Sequence, residues 1–202
     1  MINTLYRSVK SNRGLVCLFV ALGGSLTLNV LMGRELQRQT VAGESRMAGI
    51  REGTSLPSIE ALDLDGRAVS VVFASEKPTV LYVLSPTCVW CQRNEKNIIE
   101  LARKSATRYR FIGLSTGGDL KELNEYLKRS PLPFDVFFVE SAQAATELEL
   151  GVTPQTAVID RNGKVEHSWQ GAYDGPTAQE IEAMFGVALP GLRPVSTSAE
   201  RR

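Results

Sequence analysis

The feature that most constrains this chain is Cys88-Val89-Trp90-Cys91, set where an apolar run gives way to a helical pattern. The run Thr79-Val80-Leu81-Tyr82-Val83-Leu84 is rich in the residue types that suit a buried strand. Ser85-Pro86-Thr87 breaks it, and a helix-compatible stretch follows from Cys91 to about Ala106. Cysteines spaced this way at a helix start can close a disulfide and reopen it. A helix N-terminus also favours a thiolate, because its free N–H groups and dipole stabilise negative charge. The placement points to thiol–disulfide chemistry.

The rest of the chain narrows this further. Across 202 residues the formal net charge is +1, which gives no electrostatic reason to expect a nucleic-acid partner. The three cysteines, Cys17, Cys88 and Cys91, are too few for a disulfide-stapled scaffold. Gly14 to Gly33 carries no charged residue, and a helix of that length spans roughly 30 Å, the thickness of a bilayer's hydrocarbon core. Arg7, Lys10 and Arg13 precede it without an acidic residue, which places the N-terminus in the cytoplasm and the bulk of the chain across the membrane. The competing reading is a cleaved signal peptide, with Thr40-Val41-Ala42 as a small-residue cleavage site; the length of the span favours an uncleaved anchor. Cys17 reads as a small apolar residue within that helix.

Periodicity and turn residues then divide the chain. Residues 1–13 are expected in the cytoplasm, 14–33 across the membrane, 34–53 as a polar linker, 54–188 as a folded domain and 189–202 as a disordered tail. Within the domain, Ile59 to Leu64 and Val69 to Phe73 flank an Asp65-Gly66 turn as a hairpin. After the cysteine helix come a strand at Phe111 to Leu114, a helix opened by Asp119, a strand over Phe134 to Val139 and a short helix from Ala142 to Leu150, stopped by Gly151. Thr156 to Ile159 and Lys164 to Gln170 pair around Asn162-Gly163, and Thr177 to Phe185 closes the domain as a helix. Alternating strands and helices ending in a hairpin and a helix imply an α/β fold with a mixed central sheet.

Thr54 to Phe185 resembles the thioredoxin-like superfamily, in particular its membrane-anchored extracytoplasmic TlpA/ResA type. The resemblance is carried by the strand–loop–CxxC–helix unit, by Gly151-Val152-Thr153-Pro154-Gln155 with the strand after it, which is similar to the family's cis-proline loop, and by Asn162-Gly163-Lys164-Val165 leading to Gly171, which is similar to its final hairpin. It implies a thioredoxin-like fold with flanking helices. It implies Cys88 as nucleophile, Cys91 as the resolving cysteine, and Thr153-Pro154 as the loop that grips a substrate. No cofactor is expected beyond the redox-active Cys88–Cys91 pair. Exported proteins with disulfides are the implied substrates, and a membrane electron conduit of the DsbD/CcdA kind is the implied donor, with maturing cytochromes or other periplasmic enzymes as clients.

Departures from the family pattern matter as much. Many relatives place proline before the second cysteine, where this chain has Trp90, read as a substrate-contacting residue. The position at which a thioredoxin buries an aspartate holds Tyr82, which cannot act as a base near neutral pH. Ser85-Pro86-Thr87-Cys88 is similar to the corresponding segment of MauD-type accessory proteins of methylamine dehydrogenase maturation. Other readings rank lower. A thiol peroxidase would use Ser85 as its hydroxyl position but has Leu81 where the frame needs proline. A Sco-type copper module would need His167, which is read as a solvent-facing strand residue; a zinc site lacks ligands. The run Arg93-Asn94-Glu95-Lys96 is read as the solvated face of the helix.

Overall fold

A computed structural model describes residues 17–34, 49–56 and 58–194. The chain divides into two units, residues 1–44 and 45–202. In the first, helix α1 (Cys17–Arg34) is long and apolar enough to cross a membrane, and its side chains are exposed along its length. Residues 1–13, and the first residues of the expected 14–33 span, lie outside the described residues, as does most of the 34–53 linker.

The second unit is built on one seven-stranded sheet, in the order β2-β1-β5-β4-β3-β6-β7. The strands are β1 (Ile59–Leu62), β2 (Ala68–Val71), β3 (Thr79–Leu84), β4 (Arg110–Ser115), β5 (Asp135–Phe138), β6 (Gln155–Ile159) and β7 (Val165–Gln170). β3, β4 and β5 run parallel, whereas β6 is antiparallel to β3, β7 to β6, and β1 to both β5 and β2. The helices are α2 (Val89–Ser105), α3 (Leu120–Arg129), α4 (Ala142–Glu147) and α5 (Gly175–Phe185). The expected α/β architecture with a mixed sheet is the one observed.

Strand β3 lies at the centre and is buried at every position. Its alternation feeds two cores. Val80, Tyr82 and Leu84 pack with Ile98 and Leu101 of α2, Leu123 of α3 and Ile181 and Phe185 of α5. Leu81 and Val83 face the other side, with Ile112, Leu114, Ala157 and Ile159 and the β1–β2 hairpin. Both hairpins turn by the same chemistry. Asp63 Oδ1 accepts the N–H groups of Asp65 and Arg67, and Asp160 Oδ1 accepts those of Asn162 and Lys164. Gly66 and Gly163 then supply the left-handed residue, at φ 83° and 89°.

Four local expectations change. Helix α2 begins at Val89 and not at Cys91, because Cys88 itself caps it. Helix α4 ends before Gly151: Glu149 takes the left-handed position at φ 55°, and the Glu149 and Leu150 N–H groups bond the carbonyls of Thr146 and Ala145. The Arg51 guanidinium holds the Glu149 carboxylate at 2.7 Å. The segment from Gly49, expected as linker, joins the folded unit. Ile50 and Leu56 are buried, and Gly53, Thr54 and Leu56 exchange backbone hydrogen bonds with the Gly163–Val165 strand end. The tail expected to be disordered from 189 is bonded to the domain through Leu189, Gly191 and Arg193, because acceptors on α5 (Glu182) and α2 (Arg93, Glu95 and Asn97) take its donors. Residues 195–202 lie outside the described residues.

Leu101 is fully buried between α2 and the sheet. Leu101→Ala is expected to lower unfolding free energy by about 2–5 kcal/mol in chemical denaturation. Lys104→Ala, which removes an exposed i,i+4 pair with Glu100, is expected to change it by less than about 0.5 kcal/mol.

Candidate active site

Strand β3 delivers the chain to the end of the sheet, where Ser85-Pro86-Thr87 turns it into α2. Cys88 is the N-cap residue, with extended backbone at φ −76° and ψ 111°. Its sulfur occupies the place of the usual capping oxygen and accepts the Cys91 N–H at 3.2 Å. The Cys88 thiol is half-buried, whereas Cys91, one turn inside, is 1% exposed. Across from them the Thr153–Pro154 peptide is cis, as the resemblance implies, and the Thr153 carbonyl accepts the Cys88 thiol at 3.4 Å. Sequence positions 88, 91, 153 and 154 therefore meet at one place. Trp90 stands 48% exposed on the rim, with Val89 beside it at 58%. The Arg93 guanidinium stacks on the Trp90 ring, 4.4 Å from its centroid.

The two sulfurs are electrostatically unequal. The thiol of Cys91 donating to Cys88 is the main cause that lowers Cys88, to about 6, against the opposing effect of its partial burial. The Thr153 side chain and the backbone N–H groups of Cys91 and Trp90 lower it further. Burial, and then the neighbouring Cys88 sulfur, push Cys91 far above the ordinary thiol range. At neutral pH the arrangement thus holds one accessible thiolate next to a thiol that keeps its proton.

Behind the cysteines lies a polar network that sequence reasoning missed. Asn94, fully buried, receives the Tyr173 N–H on Oδ1 at 3.0 Å and offers Nδ2 to Tyr82 Oη at 3.5 Å. Asn97, equally buried, donates to Asn94 Oδ1 at 3.0 Å. The Tyr173 and Thr156 hydroxyls meet at 2.7 Å. Burial raises Tyr82 well above the ordinary phenol range, which agrees with its exclusion as a base. Glu95, 6% exposed, is held by Ser130 Oγ at 2.7 Å and by both terminal nitrogens of Arg193 at 3.1 and 3.2 Å. The expectation of a solvated Arg93–Lys96 face is thereby corrected at Asn94 and Glu95: α3's end and the C-terminal segment cover what would otherwise be the outer side of the helix. A signal was present, since Asn94 and Asn97 share the three-to-four-residue spacing of Cys91, Ile98 and Leu101.

His167 is exposed on β7, stacked on Trp169 and 3.7 Å from Glu52. It pairs with Val158, on the order of 15 Å of strand from Thr153. Among the described residues no group of three or more histidine, cysteine or acidic side chains gathers as a metal site.

A mixed sheet with a CxxC pair at the mouth of its central strand and a cis-proline loop facing it defines a thioredoxin-like fold. The AhpC/TSA family profile matches residues 53–168, more than half of the chain, and the chain belongs to that family. It is 29% identical over 113 residues to the methylamine utilization protein MauD of Paracoccus versutus, covering 56% of this chain and 55% of that protein. It is 27% identical over 135 residues to the chloroplastic peroxiredoxin Q of Oryza sativa subsp. japonica, covering 61% of each. The chain thus spans a little over half the length of the curated relatives it matches. Among solved structures, a candidate thiol:disulfide interchange protein DsbE from Chlorobium tepidum superposes with a TM-score of 0.58 at 19% identity, over 68% of this chain and 96% of that one.

Cys88 is expected to alkylate with a rate that rises through about pH 6, as its thiol gives way to thiolate, while Cys91 stays unreacted. Iodoacetamide kinetics followed by peptide mass in a Cys17→Ser background measure this. A midpoint near the ordinary thiol value of about 8.5 contradicts it.

Proposed function

We propose that this protein is a membrane-anchored thiol–disulfide oxidoreductase working outside the cytoplasm, with Cys88 as nucleophile and Cys91 as resolving cysteine. The observation that carries the reading is the inequality of the two sulfurs, one lowered to about 6 and half-exposed, the other buried and protonated. The Cys88 thiolate attacks a client disulfide. A Cys88–client disulfide forms, and the displaced client sulfur leaves as a thiolate that takes a proton. Cys91, losing its proton, then attacks Cys88. The second client thiol leaves, two electrons have passed to the client, and the pair is a disulfide.

Family membership and the MauD relative support a protein disulfide as substrate. The cis-proline loop is proposed to hold the client's extended segment, with the backbone beside Thr153 and Pro154 as partner and Trp90 as a contact. Helix α1 supports an anchor over 14–33, with the domain in the periplasm. There a reductant needs recharging, for which a donor of the DsbD/CcdA kind is proposed, and maturing cytochromes or other periplasmic enzymes are proposed as clients. No cofactor beyond the cysteine pair is invoked. The peroxidase reading draws on the peroxiredoxin Q relative, but Leu81 stands where that frame needs proline.

The wild-type protein is expected to reduce insulin with dithiothreitol as electron source. Cys88→Ser is expected to abolish that, and Cys91→Ser to accumulate the mixed disulfide on a non-reducing gel. Undiminished insulin reduction by Cys88→Ser overturns the reading, and thiol-dependent peroxide consumption in its place favours the peroxidase. A reduction potential near about −270 mV fits reduction as the working direction; one near about −120 mV fits oxidation.

A further inference from the structure

The C-terminal segment reaches the active-site helix at Arg93, Glu95 and Asn97. Gly191 donates its N–H to Asn97 Oδ1 at 2.9 Å. Two residues on, Arg193 and Arg93 exchange a pair of bonds: the Arg193 N–H donates to the Arg93 carbonyl at 2.9 Å, and Arg93 Nε donates to the Arg193 carbonyl at 3.0 Å. The Arg193 side chain closes over the buried Glu95 carboxylate with both terminal nitrogens. The Arg93 guanidinium, so held, is the group that stacks on Trp90.

An arginine on a helix surface ordinarily samples many rotamers, and a tryptophan half in solvent does the same at lower cost. Here one end of the Arg93 side chain is tied to a backbone carbonyl, and that carbonyl is anchored by an ion pair with a nearly buried partner. Arg93 is left with one orientation, and Trp90 with a fixed cationic plate beneath it. We infer that Arg193 is a positioning residue, through which the C-terminal segment holds Arg93 against Trp90 and so presets the face that a protein disulfide meets beside Cys88. The inference rests on the proposed thiol–disulfide exchange and assigns the tail a part in client selection. A small disulfide reaches the half-exposed Cys88 sulfur without covering the Trp90 face, whereas a protein client must lie across it.

The test compares rate constants for reduction of insulin and of glutathione disulfide by the full chain. A chain ending at Leu192 with Glu95→Gln removes the Arg193 anchor without leaving a buried carboxylate unpaired. The insulin-to-glutathione ratio is expected to fall about two- to fivefold, the size that loss of a partly exposed cation–π contact supports. Arg93→Ala, which cuts the stack from the other side and leaves Glu95 alone, is expected to give the same fall even should the shortened chain unfold. In a Trp90→Ala background neither change is expected to lower the ratio further. An unchanged ratio, or a fall that persists undiminished without Trp90, overturns the inference. Failure of the wild-type protein to reduce either disulfide overturns the exchange reading itself.

Discussion

The Asn94 amide is the contact on which the placement of the cysteines depends. It sits one turn beyond Cys91 on the same helix, fully buried, and its two ends go to different elements. Its oxygen takes the backbone N–H of Tyr173, in the loop between β7 and α5, and its nitrogen reaches the hydroxyl of Tyr82 on the central strand. Helix α2, the sheet and the closing loop are thereby tied at one point, directly behind the two cysteines. A buried amide that lost either partner would incur the cost of an unmet hydrogen bond, so the three elements share one arrangement. Hydrophobic packing by Ile98 and Leu101 supplies the bulk attraction of helix for sheet but is less particular about register.

That arrangement explains how a tyrosine can stand where thioredoxins bury an acid. An ionised carboxylate at position 82 would be desolvated, whereas a phenol brings a neutral donor and acceptor that the Asn94 amide can meet. Tyr82 also fills volume, being among the largest fully buried side chains, and contributes its ring to the same core as Leu84 and Ile98. The position has become part of the scaffold.

Much of this was legible in the sequence. The strand before the cysteines, the helix after them, the Asp119 cap and both Asp–Gly or Asn–Gly hairpins carry local signatures, because each is decided within a few residues by capping or turn chemistry, whereas the cis-proline loop was legible only through the family resemblance. The two misreadings of exposure share one cause. Arg93-Asn94-Glu95-Lys96 looks like a water-facing turn, and 189–202 looks like a loose tail, when each is judged by composition alone. In the fold they satisfy each other: the tail's Arg193 covers Glu95, and its Gly191 N–H meets Asn97. The partnership spans about a hundred residues, so neither half names its partner locally, and within α2 only the spacing of Asn94 and Asn97 marks the buried side. The same holds for Glu149, whose left-handed backbone and Arg51 partner are tertiary facts.

The inequality of the sulfurs carries a consequence for the order of steps in the proposed exchange. Burial is the first cause that keeps the Cys91 proton in place, and the adjacent Cys88 sulfur is the second, both as a hydrogen-bond partner and as a negative charge. The second cause exists only while Cys88 is a thiolate. Once Cys88 is joined to a client its sulfur is neutral, the repulsion is gone, and Cys91 is left with burial alone against ionisation. The backbone N–H of Cys91, which points at Cys88 Sγ in the reduced pair, loses a charged acceptor at the same moment. Formation of the mixed disulfide therefore itself brings the resolving thiol closer to reactivity, without a dedicated buried acid. In the proposed exchange a base is needed only to receive the proton, and the displaced client thiolate is one acceptor that the reaction itself creates.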